Sequence, residues 1–154
     1  MDAWRSAVIA EAETWLKTPW HHNARVRGAG VDCGQHIIGS YIGAGLVEHF
    51  ETGAYPADWM LHQAQERYLE WVERYLDPVD APLPGDVAAW RYGHCFSHGA
   101  IVVEWPLIIH AYRPEGMVVY GDATKGALAR EHLKAGGSAP RAVRFFTIAG
   151  RLTP

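Results

Sequence analysis

Cys33 follows Asp32 directly, and the apolar spacing Ile37, Ile38, Tyr41, Ile42, Leu46 predicts a helix over 33–47 with Asp32 as its N-cap. A thiol attacks a carbonyl as the thiolate, and a helix N-terminus favours that form through unpaired N–H groups and a partial positive charge. Cys33 is therefore a candidate nucleophile, against the plainer alternative of a small buried side chain. Thiolate chemistry also needs a base that passes a proton to the leaving amine, and a second group that holds the imidazole in the right tautomer. His98 and His110 are the candidates for these roles. His98 stands before the apolar run 99–103, and His110 ends the run 107–110. A tight hairpin about Glu104-Trp105-Pro106 would bring both imidazoles together at one edge of a sheet. A helix-borne thiol facing two sheet-borne imidazoles follows the logic of a catalytic triad, although each histidine alone also suits a surface or core position.

The elements that must hold these residues read as helices first and strands second. Asp2 is placed to cap an opening helix whose stripe Trp4, Val8, Ala12, Trp15 runs toward Pro19. Residues 18–31 are polar and glycine-bearing and are expected to form a loop of functional length. Gly34, Gly39, Gly43 and Gly45 would weaken an exposed helix, so they imply close packing. Asp58 is placed to cap a third helix, with Leu61, Gln65, Tyr68, Leu69, Val72 and Leu76 on one face and Pro78 as its stop. Three helices thus precede any expected strand. After the turn at Pro82-Leu83-Pro84-Gly85 come short β-rich runs over 86–90, 99–105, 107–112 and 117–120, which read as an antiparallel meander. A short helix over 127–135 and a last strand over 142–148 complete an α+β chain, with one domain expected over residues 1–154.

Composition narrows the function classes. A net charge of −3 with interspersed signs gives no electrostatic footprint for a nucleic-acid backbone, so no nucleic-acid partner is expected. No apolar run approaches the length of a membrane span, and the first residues lack the apolar core of a signal peptide. Synthesis in the cytoplasm without a signal peptide, and no membrane insertion, are the expectations. Two cysteines are too few for a disulfide scaffold, so free thiols are expected. Seven tryptophans and seven tyrosines serve either a core or a docking surface, with Trp59, Tyr68, Trp71 and Tyr75 the candidates for the latter.

Five segments taken together carry a resemblance: Thr18-Pro19-Trp20-His21-His22, Gly28-Ala29-Gly30-Val31-Asp32-Cys33, Leu83-Pro84-Gly85-Asp86-Val87, Ser97-His98-Gly99-Ala100-Ile101 and Ile109-His110-Ala111-Tyr112. Their order and content resemble the NlpC family of papain-like cysteine peptidases, in particular the branch attached to phage and gene-transfer-agent tails. The resemblance implies a papain-like fold, with N-terminal helices packed on a C-terminal antiparallel sheet and the nucleophile at a helix N-terminus. It implies Cys33 as nucleophile, His98 as general base and acid, and His110 as the residue that orients His98. It also implies cleavage of peptidoglycan stem peptides, typically between D-γ-glutamyl and a diamino acid, with no cofactor. Where many members carry Tyr after Thr-Pro and Ser or Ala after Asp-Cys, this chain has Trp20 and Gly34. An indole N–H could donate only from a different place than the family's Tyr hydroxyl, and His21 or His22 is the alternative donor alongside the Cys33 N–H. Trp20, His21, His22, Asp32 and Arg25 are accordingly the candidates around the substrate, with Arg25, Arg27 and Arg91 as carboxylate partners.

His94, Cys95 and His98 supply three donors within five residues, but no paired second half completes a zinc site, so no metal is expected. A tail-tip or assembly protein with an idle site, and an amidase or acyltransferase on another substrate, both retain the same residues. A wall hydrolase without a signal or wall-binding repeat would need delivery, which hub or tip proteins of a phage-like tail would provide at the cell wall.

Overall fold

The computed structural model describes residues 1–55 and 66–153. Asp2 stands at the N-cap of α1 (Ala3–Glu13), but its carboxylate makes no capping hydrogen bond and lies 3.9 Å from Arg5 Nε instead. Arg5, Val8 and Ala12 form the buried stripe of α1. Trp15 is buried in the turn that follows, so the helix stops well short of Pro19. The expected loop contains a short hairpin, β1 (Arg25–Val26) with β2 (Gly30–Val31), so a strand pair precedes the second helix, contrary to the expected order. Two-residue strands carry too little alternation to be seen in sequence.

Asp32 caps α2 (Cys33–Gly43) through a hydrogen bond from the Gln35 N–H to its side chain, 2.9 Å. The helix ends four residues before the expected boundary. It buries Gln35, His36 and Ser40 as well as Ile37 and Tyr41. Its glycines do mark a close approach: a Cβ on Gly39 would lie 2.6 Å from the Trp15 indole. The third helix, α3 (Arg67–Tyr75), buries Leu69, and Leu76 follows it as its buried C-cap. The cap Asp58, the face residues Leu61 and Gln65, and Trp59 lie outside the described residues.

Six strands form one antiparallel sheet: β3 (Asp77–Val79), β4 (Val87–Tyr92), β5 (Cys95–Glu104), β6 (Leu107–Tyr112), β7 (Met117–Asp122) and β10 (Val143–Thr147), in the order β3-β10-β4-β5-β6-β7. Pro78 sits in β3, at an edge where a missing N–H is tolerated. The expected helix over 127–135 is shorter: α4 (Gly126–Ala129) gives way to a hairpin of β8 (Arg130–His132) with β9 (Ser138–Pro140).

One core cluster joins α1, α2 and α3 to the sheet through Val8, Ile37, Leu69, Ile101, Ile109 and Phe146. A second gathers Trp90, Ala100, Val102, Ile108 and Leu128. The turn entering β4 is tied to both N-terminal helices. Buried Arg5 donates to the Pro84 carbonyl and to Asp86 at 2.8 Å each, and the Tyr41 hydroxyl donates to the Gly85 carbonyl at 2.6 Å. Among the described residues no helix is long and apolar enough to cross a membrane.

Candidate active site

Cys33 occupies the first helical position of α2, where the N–H groups of the first turn have no helical partners. Asp32 is pinned behind it, accepting from the N–H groups of Gln35 and Asn23 (2.7 Å) and from the Tyr55 hydroxyl. The Cys33 thiol, half-buried, donates to the carbonyl of Ser97 at 3.6 Å. The sulfur therefore lies against β5 at the residue before His98, with its hydrogen bond on the backbone rather than on an imidazole.

The two histidines are in direct contact. His98 Nε2 and His110 Nδ1 are 2.8 Å apart, so the hairpin of β5 and β6 does pair the imidazoles. They meet within two interior strands of the sheet, not at its edge as the sequence suggested. Rings wedge them in place: Trp90 at 5.7 Å and Tyr92 at 6.1 Å from His98, and Tyr112 stacked on His110 at 4.5 Å. Behind His110, Gly121 of β7 leaves the room the ring needs, since a Cβ there would lie 2.8 Å from Nε2. With Nε2 of His98 engaged by His110, Nδ1 is the nitrogen left to take a proton. In that tautomer Nε2–H donates to His110 Nδ1.

The electrostatics depart from the expectation of an acidified thiol. Burial, and then the Asp32 carboxylate, push the Cys33 thiol up to about 12, outweighing the N–H groups of Gly99 and Gly34 that lower it. Burial holds His98 well below the usual imidazole range, helped by His110 and Arg141, and holds His110 down at about 4, with His36 adding to it. The resting site is thus a neutral thiol beside a neutral imidazole pair. Such a site acts by proton transfer during attack instead of by a stored thiolate.

The remaining candidates divide. Trp20, His22 and Asp32 line one cavity with Cys33, and the aromatic rings of Phe50, Tyr55 and Trp71 share its wall. The Trp20 ring also lies 5.1 Å from the Arg113 guanidinium. His22 Nε2 is engaged with the Tyr55 carbonyl. His21 is exposed, hydrogen-bonds the His22 carbonyl at 3.1 Å and is not in the wall of that cavity. Arg25 is committed to the Phe50 carbonyl at 2.7 Å and Glu51 at 2.9 Å, and Arg27 to Glu11 at 3.3 Å. Arg91 is exposed on β4. Neither Cys33 nor Cys95 is in a disulfide among the described residues, and no group of three or more His, Cys, Asp or Glu there is placed to hold a metal ion.

Sequence reasoning missed Tyr55, which clamps Asp32, and His36, fully buried with its Nε2 3.2 Å from the Ala12 carbonyl. It read Tyr68 as helix core or docking surface. A histidine at an inward position of a predicted helix is the one signal that could have marked His36.

No protein-family model matches this sequence, and no curated protein does. Solved structures do. The NlpC/p60 domain of the peptidoglycan hydrolase SagA superposes with a TM-score of 0.53 at 21% identity, over 78% of this chain and 90% of that one. NlpC1 from Trichomonas vaginalis gives 0.58 at 16% identity, over 96% of this chain and 46% of the other. An NlpC/p60 family protein from Bacillus cereus gives 0.57 at 19%, over 80% and 36%. This chain therefore spans less than half the length of the latter two. At these identities the likeness is one of fold, and the chain has the α+β, papain-like architecture of NlpC/p60 domains.

Proposed function

We propose that this chain is a cysteine peptidase that hydrolyses stem peptides of bacterial peptidoglycan. The observation that carries the reading is the pairing of a helix-N-terminal Cys33, packed on Ser97, with the hydrogen-bonded His98–His110 couple of the next residue and strand. The fold it shares with domains such as that of SagA supports the substrate class.

In the reaction, the Cys33 thiol turns from the Ser97 carbonyl to His98 Nδ1 and gives up its proton as Sγ bonds to the peptide carbonyl carbon. The carbonyl π pair moves to oxygen, where the Cys33 N–H at the start of α2 receives the charge. Collapse breaks the C–N bond while His98 returns its proton to the departing amine. Water then attacks the thioester, with His98 taking and returning a proton, and the C–S bond breaks. His110 keeps the His98 ring oriented through both halves.

Within this reading the scissile bond joins D-γ-glutamyl to a diamino acid, and the chain reaches the wall as part of a phage-like tail, in contact with hub or tip proteins. Both refinements rest on the resemblance of the five sequence segments. Mass analysis of purified stem peptides, digested by the wild type and by Cys33→Ala, tests the core claim and identifies the bond. Cleavage confined to the wild type is expected. Equal products from both proteins, or none from either, would leave the fold without the proposed activity.

A further inference from the structure

The hydroxyl of Tyr68 is a polar atom with no evident structural reason to be where it is. It is buried without a hydrogen-bond partner among the described residues. A buried donor left unpaired costs about 1–3 kcal/mol, so its position needs a cause. The geometry around it is specific. The ring lies across Gly34, whose added Cβ would be 3.4 Å from Tyr68 Cε2, and the hydroxyl reaches over Gly99, whose added Cβ would be 2.1 Å from it. Gly34 and Gly99 are the residues after Cys33 and after His98. Any side chain at Gly99 would expel the phenol, so the strand is hollowed where the hydroxyl enters. Tyr68 and Cys33 also share the wall of the same cavity. The two groups influence each other: the nearby Tyr68 hydroxyl is among the influences that lower the thiol, and negative charge at Cys33 is among those that raise the phenol.

We propose that Tyr68 is a catalytic residue of this site, its hydroxyl donating to the negative charge formed at Cys33, first on sulfur and then on the oxyanion of the tetrahedral intermediate. In the resting state the thiol proton is on sulfur and points at Ser97, so the phenol has no anion to bind. When that proton passes to His98 the donor gains its acceptor. It then follows the charge by one bond as Sγ attacks and the carbonyl oxygen becomes anionic. A donor unpaired at rest and paired in the transition state contributes all of its interaction to the rate and none to substrate binding.

The inference rests on the cysteine-hydrolase reading, so the test includes a readout that needs no substrate. Alkylation of Cys33 by iodoacetamide would be followed against pH by mass spectrometry in wild type, Tyr68→Phe and Gly99→Ala, alongside steady-state cleavage of stem peptide. Tyr68→Phe should slow alkylation at fixed pH about 10- to 100-fold, the loss of one hydrogen bond to a charged acceptor. It should lower kcat about 100- to 1,000-fold with KM little changed, as loss of an oxyanion donor does. Its melting temperature should be unchanged or higher, because an unpaired buried hydroxyl has been removed. Gly99→Ala, which displaces the phenol, should reproduce the slow alkylation, and the double variant should be no slower than Tyr68→Phe alone. Wild-type alkylation in Tyr68→Phe overturns the proposal, as does a fall in melting temperature with kcat intact. Should the wild type cleave nothing while Tyr68→Phe still alkylates slowly, the peptidase reading fails and the contact between phenol and sulfur charge stands.

Discussion

At the scale of single residues, the proton on Cys33 decides how the site works. Burial and the adjacent Asp32 carboxylate push the thiol up to about 12, and the imidazole expected to relieve it is itself held neutral. Below that value the thiolate fraction rises tenfold per pH unit, so alkylation of Cys33 should climb steeply from pH 7 to 10 without levelling off. A plateau reached by pH 8, read as the rate of mass increase on the Cys33 peptide, would show a stored thiolate and defeat this account. Asp32→Asn retains a capping oxygen but loses the charge, and should shift the curve to lower pH. The pair Asp32-Cys33 was legible in sequence because cap and nucleophile are adjacent and announce a helix start. The acidity of the thiol was not, because a helix N-terminus argues for a low value while burial and a flanking carboxylate argue the other way. Only the packed structure says which wins. Tyr68 was hidden for a similar reason: its role depends on the lack of side chains at Gly34 and Gly99, on two other elements.

At the scale of elements, the turn that launches β4 fixes the sheet to the helices. Arg5 of α1 and Asp86 are 2.8 Å apart with side chains only 8% and 2% exposed, and Asp86 also accepts from the Leu83 N–H at 2.8 Å. Removing one partner strands a buried charge, so Arg5→Met should lower unfolding free energy by about 3–5 kcal/mol. Arg5→Met with Asp86→Leu should recover part of that loss. Urea titrations of the two variants check this, and a loss below about 1 kcal/mol for the single change would mean that Asp86 is well hydrated in the native state. The long strands β4 to β7 were readable from their apolar runs and turn residues, and the expected hairpin of His98 and His110 formed. The pairs β1–β2 and β8–β9 and the edge strand β3 were not readable. Strands of two or three residues are set by what they lie beside, and β8 replaced the end of the helix expected over 127–135. Arg5 likewise fell on a buried face that hydropathy assigns to apolar residues, since its charge is satisfied by a residue 81 positions away.

At the scale of the whole molecule, the same burial that keeps the histidines neutral ties stability to pH. His36 and His110 are held down to about 4, and His98 well below its ordinary range, each chiefly by burial. In the unfolded chain these imidazoles regain a pKa near 6.5. Between that value and about 4 the unfolded chain binds protons that the native protein refuses. Unfolding free energy therefore rises with pH across this window and is lost as pH falls through it. Each histidine tilts the curve by about 1.4 kcal/mol per pH unit once its unfolded form is fully protonated, so three acting together weigh heavily on a domain whose whole stability is about 5–15 kcal/mol. The melting temperature should fall steadily from pH 6.5 to 4.5, with uptake of about two to three protons per chain on unfolding near pH 5. Calorimetry in buffers of different ionisation enthalpy measures that uptake directly. His110→Asn, which removes one of the three groups and leaves Gly121 and Tyr112 to enclose a smaller amide, should reduce it by about one proton. A flat melting temperature over this range, or an uptake unchanged by His110→Asn, would mean that these imidazoles take up protons in the native state, and the neutral base that the proposed mechanism needs would be lost with them.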